Sequence, residues 1–172
     1  MTRVDWARLG YVRRAHGLRG RLALRVYLSA PPLPLEAGTK LLLGRMEHVL
    51  TRCRVTGPQD LLVDVEGIHT RQLAEELVGS PVSASLEALL SAGQGVPLPA
   101  LVGMSLPELD AGDGAPKVTG YQPVAGNPMI TVGSGALAVD IPLALMAAEG
   151  IDWKRGVIHV ELPEGYMETL RR

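Results

Sequence analysis

A mostly β protein is what this chain of 172 residues predicts, and three observations predict it. Its apolar runs are short and are separated by glycine and proline, 20 and 13 of them, which is the punctuation of strands joined by turns. The stretch from Arg21 to Leu28 alternates strictly, with Leu22, Leu24, Val26 and Leu28 on one side and Arg21, Ala23, Arg25 and Tyr27 on the other. Helical periodicity occurs only briefly. One or two short helices on two small β domains is the resulting expectation, and 172 residues suffice for a core in each.

The first strand-like run begins at Leu9 and leads to a glycine-framed turn, His16-Gly17-Leu18-Arg19-Gly20, from which the alternating run starts at Arg21. A proline-rich loop covers Ser29 to Gly38. Strands are then expected at Lys40 to Leu43, Val49 to Thr56 and Leu61 to Val65, parted by the turn sequences Gly44-Arg-Met-Glu and Gly57-Pro-Gln-Asp. One helix follows, capped by Thr70, with an apolar stripe of Leu73, Ala74, Leu77 and Val78 and a stop at Gly79. Pro81 to Ser85 would close a small barrel or sandwich.

Residues 91–100, small and rich in glycine and proline, read as a linker between a domain at 1–90 and another at 101–172. The second half offers strands at Leu101 to Ser105, Lys117 to Val124, Met129 to Val132, Leu137 to Ile141 and Val157 to Leu162. Asp140-Ile-Pro-Leu leads into an expected short helix over Ala144 to Glu149 ended by Gly150, and Trp153-Lys-Arg-Gly reads as the turn of the last hairpin.

Charge is unevenly placed. The chain as a whole carries −1, yet Arg3, Arg8, Arg13, Arg14, Arg19, Arg21 and Arg25 stand against Asp5 alone in the first 25 residues. A basic hairpin of this kind suits a phosphate backbone or an acidic protein surface. The candidate contact residues are therefore His16, Gly17, Leu18, Arg19, Gly20 and Arg21, with Arg13, Arg14 and Arg25 as supporting charge. Gly-Leu-Arg-Gly also fits the GXXG loop of RNA-binding KH domains, but that loop joins helices and this one is flanked by strand-like runs. The absence of Phe and the low aromatic content, 3%, argue against a surface on which single-stranded bases stack.

Other chemistry finds little support. The one cysteine, Cys53, excludes an internal disulfide and a paired-cysteine zinc site. His16, His48, His69 and His159 are scattered, so no metal is expected; no nucleophile elbow or phosphate-binding P-loop is present, and Asp110 and Asp113 lack further ligands at calcium-loop spacing. No catalytic residue and no cofactor is expected. No run approaches the roughly 18 apolar residues of a membrane span, and the first residues lack a signal-peptide core, so no membrane partner and a cytoplasmic location are expected.

Leu9-Gly-Tyr-Val with His16-Gly-Leu-Arg-Gly, then Val65-Glu-Gly-Ile, Arg71, Ala74, Leu77, Gly79 and Val82, resemble the ribosome maturation factor RimM family, also called 16S rRNA processing proteins. In the second half Leu101-Val-Gly-Met-Ser-Leu, Gly126-Asn-Pro-Met-Ile-Thr-Val, Ile141-Pro142-Leu143 and Val160-Glu-Leu-Pro resemble, in that order, the PRC-barrel half of the same family. The resemblance implies two small β-barrels, a translation-factor-type barrel followed by a PRC barrel. It implies a non-enzymatic assembly factor that binds the immature small ribosomal subunit, engaging a head ribosomal protein (the nineteenth small-subunit protein) and neighbouring 16S rRNA. Gly126, Asn127 and Ile141 to Leu143 would be structural parts of the second barrel. One departure stands out: the family's usual aromatic pair at the start of the second domain is here Val96-Pro97-Leu98-Pro99. A monomer satisfies all of this. Two other classes stay open, a protein-interaction module without RNA contact and a flavin-type barrel reductase or small hydrolase.

Overall fold

The computed structural model describes residues 5–166 and 168. The chain divides into two compact units, residues 1–100 and 101–172. The first is a closed six-stranded barrel in the order β1-β2-β5-β4-β3-β6, made of β1 (Trp6–His16), β2 (Arg21–Val26), β3 (Lys40–Leu43), β4 (Met46–Gly57), β5 (Asp60–Val65) and β6 (Pro81–Ser85). All its pairings are antiparallel, and β1 pairs with both β2 and β6, so no edge is left to recruit another chain. Closure needs bent strands. Register shifts in β1 between Arg8 and Gly10 and between Val12 and Arg14, and in β4 between Leu50 and Arg52, supply the bending.

The alternation in β2 does what its period requires: Leu22, Leu24 and Val26 are at most 1% exposed and Arg21, Ala23 and Arg25 face outward. They meet Leu9, Val12, Leu41, Leu43, Leu50, Leu61, Val63, Val65, Val82 and Ala84 in a purely aliphatic interior. Such branched side chains fill a narrow barrel, which explains how the fold stands without Phe. The helix α1 (Arg71–Glu76) is capped as expected, the Thr70 hydroxyl accepting from the Leu73 amide at 3.3 Å. Only half of its anticipated stripe is covered: Ala74 is buried and Leu77 packs on the core, whereas Leu73 and Val78 are 37% and 46% exposed. A second helix, α2 (Leu86–Ser91), follows β6 directly, capped by Ser85 and anchored by Leu89.

Residues 91–100 are fastened to the first unit. The Gln94 side chain exchanges two hydrogen bonds with the Leu33 backbone, at 3.0 and 2.7 Å. The Val96 amide donates to the Ser29 hydroxyl at 2.7 Å and the Leu98 amide to the Tyr27 carbonyl at 2.9 Å. Leu98, in the stretch where the family's aromatic pair would fall, is completely buried and serves packing.

The second unit holds a three-stranded antiparallel sheet, β7 (Val118–Gln122), β8 (Met129–Val132) and β9 (Val139–Pro142), and a two-stranded ladder, β10 (Met146–Asp152) and β11 (Val157–Val160). Two expectations fail here. Leu101 to Ser105 is not a strand; only Ser105 pairs, bridging to Lys117 on one side and Val157 on the other, because Leu101 closes a short 3-10 turn that begins at Leu98. Ala144 to Glu149 is not a helix either. After a 3-10 turn at Leu143–Leu145 the chain enters β10, where Met146 pairs with Val160 and Ile151 with Ile158 across a register shift. Pairing with β11 has overridden the local helix preference of an alanine-rich segment. The expected turn at Trp153–Gly156 does form, with the Asp152 carboxylate accepting from the amides of Lys154 and Arg155 at 3.1 and 3.0 Å. Ile141, completely buried, pairs with Ile130 across β8 and β9. Among the described residues no helix is long and apolar enough to cross a membrane.

Candidate functional site

The β1–β2 hairpin brings the sequence-derived candidates together at one end of the barrel. His16 pairs with Arg21 across the ladder, leaving Gly17, Leu18, Arg19 and Gly20 as the connecting turn. Both glycines take left-handed backbone angles, φ +69° and +78°, which side-chain-bearing residues resist. They differ in surroundings. A Cβ on Gly17 would meet nothing within 4 Å, while one on Gly20 would lie 2.6 Å from the Ile68 carbonyl oxygen and 2.9 Å from the Thr70 nitrogen. Gly20 is thus the contact through which the turn lies against residues 68–70. The Arg71 amide adds a hydrogen bond to the Leu18 carbonyl at 3.2 Å. The turn is held from below, and its apex, Leu18, is 81% exposed.

The candidate arginines separate into two sets. Arg25 forms a fork on Asp60, with contacts of 2.9 and 3.3 Å, and Arg13 reaches the same carboxylate at 3.5 Å. Arg21 pairs with Asp64 at 3.2 Å. Asp60 and Asp64 belong to β5, the strand beside β2, and were not part of the sequence-derived site. Their presence neutralises part of the charge that the first 25 residues carry. Arg14 and Arg19, by contrast, are exposed and form no ion pair with any described residue. Arg3 lies outside the described residues.

The structure adds two arginines that the hairpin alone does not show. In β4, Arg52 stands in register with Asp64 and Arg54 with Leu62, while the alternating Cys53 and Val55 pack toward the core. Both arginines are exposed and without an ion pair to a described residue. The signal was present as a period of two within Val49 to Thr56; what the sequence does not state is that β4 lies beside β5, and β5 beside β2. His16 and Arg21 face each other across the hairpin, Arg21 reaches Asp64 of β5 through its ion pair, and Asp64 stands in register with Arg52 of β4. Beside it opens a cleft of about 490 Å³ lined by Arg19, Arg21, Thr51, Arg52 and the run from Asp64 to His69.

Elsewhere the polar groups serve the fold. The Asp110 carboxylate accepts from the amides of Gly112 and Gly114 at 2.8 and 3.1 Å, which closes its own loop. Among the described residues no three His, Cys, Asp or Glu side chains converge as metal ligands would. Burial pushes the Cys53 thiol above its ordinary pKa, against a smaller opposing effect from a backbone hydrogen bond at Leu35, so the thiolate is disfavoured.

Barrel and site define a β-barrel protein whose prominent surface feature is a glycine-framed basic hairpin backed by arginines of the neighbouring strand. Residues 7–89 match the family model described as the RimM N-terminal domain. Among curated proteins, the ribosome maturation factor RimM of a Synechococcus strain is 28% identical over 178 aligned residues, covering 96% of this chain and 95% of that one. That of Gloeobacter violaceus is 28% identical over 172, covering 95% and 94%. A solved RimM, a 16S ribosomal RNA processing protein from Pseudomonas aeruginosa, aligns at 18% identity over 92% of this chain and 98% of its own, with a TM-score of 0.41. Over nearly its whole length the chain is thus similar to RimM proteins, and over residues 7–89 to their N-terminal domain.

Proposed function

We propose that this protein is a ribosome maturation factor that binds the immature small subunit, touching a head ribosomal protein and neighbouring 16S rRNA, and assists 16S rRNA maturation without performing covalent chemistry. Similarity over nearly the whole chain supports the maturation role, since the relatives above carry that name. The observation that carries the binding mode is the hairpin tip, where unpaired Arg19 and exposed Leu18 are presented on a turn fixed through Gly20. His16, Gly17, Leu18, Arg19, Gly20 and Arg21 form the contact, and Arg13, Arg14 and Arg25 shape the field around it. An exposed leucine beside guanidinium groups suits a surface in which protein and RNA adjoin, the apolar apex meeting a protein pocket and the charge meeting phosphate.

Arg19→Glu tests this cleanly, because Arg19 has no carboxylate partner among the described residues whose loss would disturb the barrel. Co-sedimentation with precursor small-subunit particles should fall, and the wild-type affinity should decline with salt by a log–log slope of about 0.7–0.9 per phosphate contact. Unchanged co-sedimentation of the variant, or a flat salt response, would defeat the electrostatic reading. A second reading, a pure protein-interaction module, is favoured by the internal pairing of Arg13, Arg21 and Arg25. Loss of binding in Leu18→Ala together with salt-independent affinity would select it.

A further inference from the structure

We infer that the cleft beside the hairpin, between the β1–β2 turn and the outer face of β4, is a seat for an RNA phosphodiester, and that Arg52 of β4 is one of its ligands. The inference rests on the proposed binding to the small subunit and adds a site outside the hairpin. Its first support is the charge balance around Asp64. Asp64 stands in register with Arg52, yet its carboxylate is engaged by Arg21 of β2 at 3.2 Å, and the Arg52 guanidinium is exposed and without an ion pair to a described residue. The same ion pair restrains the Arg21 head group at the cleft wall. Arg19 comes from the turn and Arg52 from β4, so guanidinium groups from two separate elements line one opening of about 490 Å³.

The second support is the chemistry of the lining. Apart from the two arginine sources it offers His69 and the backbone of Gly67, while the Thr51 hydroxyl is occupied in donating to the Asp64 carbonyl at 3.0 Å; its apolar members are only Val65, itself 3% exposed, and Ile68. Guanidinium groups reinforced by turn backbone are a set that holds phosphate oxygens. A protein partner would instead look for an aromatic, methionine or leucine anchor at the centre of the patch, and none lines this cleft. No Phe, Tyr or Trp lines it and His69 is its single aromatic ring, which leaves no platform for successive bases, so the backbone rather than the bases would be held, without regard to sequence. Arg54 continues the positive edge two residues further along β4. Glu66 lies in the same lining and opposes an anion, which gives the site a built-in check of sign.

Binding of full-length protein to precursor small-subunit particles, titrated over a range of salt, reads the proposal. Arg52→Ala should weaken binding and lower the log–log salt slope by about 0.7–0.9, the value of one lost phosphate contact. Arg45→Ala, the same loss of charge on an exposed arginine of the β3–β4 turn, should leave the slope unchanged, and Glu66→Gln should tighten binding. An Arg52→Ala slope within 0.2 of wild type overturns the proposal while leaving the hairpin reading intact, provided Arg19→Glu still loses binding. A photoreactive benzophenone residue replacing Thr51 gives a second measure: adducts to rRNA support the seat, and adducts to ribosomal protein alone overturn it. If neither Arg19→Glu nor Arg52→Ala alters binding, the electrostatic reading of the hairpin falls with it.

Discussion

Replacing Gly20 by alanine, with Gly17→Ala as its control, measures how tightly the hairpin tip is held. Both positions have positive φ, and a side chain in the left-handed region costs about 1–2 kcal/mol. At Gly17 that is the whole cost, because no atom lies within 4 Å of the added methyl. At Gly20 the methyl would lie 2.6, 2.8 and 2.9 Å from the Ile68 carbonyl oxygen, the Ile68 carbonyl carbon and the Thr70 nitrogen. All three are backbone, so the turn and residues 68–70 must separate. Separation stretches the 3.2 Å hydrogen bond from the Arg71 amide to the Leu18 carbonyl, about 1 kcal/mol, and disturbs the Thr70 cap of α1, about 1 kcal/mol more. Gly20→Ala should therefore be destabilised by about 1–3 kcal/mol beyond Gly17→Ala. The assay is urea unfolding followed by Trp6 fluorescence in a Trp153→Phe background, since Trp6 lies in β1 and so reports the barrel alone. Equal midpoints for the two variants, within about 0.5 kcal/mol after conversion with a common slope, would refute the claim that Gly20 fixes the turn through contact. A displaced turn should also weaken binding to precursor subunits, and Gly17→Ala should bind better than Gly20→Ala.

Three further outcomes follow from particular contacts. Asp60→Asn should lower barrel stability by about 1 kcal/mol, as the Arg25 fork weakens, yet strengthen association with precursor subunits by releasing Arg13 and Arg25; weaker association would contradict the field assigned to those arginines. Leu24→Ala should cost about 2–5 kcal/mol in the same unfolding assay, because Leu24 is completely buried, and a cost below 1 kcal/mol would mean the interior collapses around the gap. In the second unit, partial burial acts to raise the Glu108 pKa, but the 2.6 Å hydrogen bond to His159 and that ring's charge outweigh it and hold the carboxyl below its ordinary value. A carboxyl lowered on folding contributes stability above its unfolded pKa and loses it as pH falls through the folded one. Glu108→Gln should therefore be less stable than wild type near neutral pH, with the difference shrinking as pH falls through and below the lowered carboxyl pKa, and a gap that persists undiminished in acid would exclude titration of this pair as its cause.

How much of this was legible depended on whether the information was local. The strict alternation of Arg21 to Leu28 places Leu22, Leu24 and Val26 inside without reference to any other strand, and Thr70 caps its helix from three residues away. The glycine turn could likewise be read, since left-handed angles at Gly17 and Gly20 follow from the short connection between two strands. Where the outcome depends on pairing, local pattern misleads. Ala144 to Glu149 has the composition of a helix and becomes a strand because β11 is there to pair with it. Leu73 and Val78 keep helical spacing but stay at the surface, because a six-residue helix covers the barrel over little more than Ala74 and Leu77.

The charge of the hairpin shows the same limit with more consequence for function. Counted along the chain, the first 25 residues hold seven arginines against one aspartate, which suggests a uniformly basic prong. Counted across the barrel, β5 interposes Asp60 and Asp64 between the arginines of β1 and β2 and those of β4. These carboxylates convert Arg13, Arg21 and Arg25 from mobile charges into placed ones, and around the hairpin and β4 they leave Arg14, Arg19, Arg52 and Arg54 exposed and without an ion pair to a described residue, as Arg8 is further along β1. Affinity for a polyanion should accordingly follow the unpaired set rather than the total. Removing Arg19 or Arg52 should flatten the salt dependence, and removing Arg25, which is already neutralised by Asp60, should leave the slope close to wild type while lowering stability. A slope that falls equally for all three arginines would mean that the ion pairs with β5 open on binding, and that the barrel presents its whole basic face to the subunit.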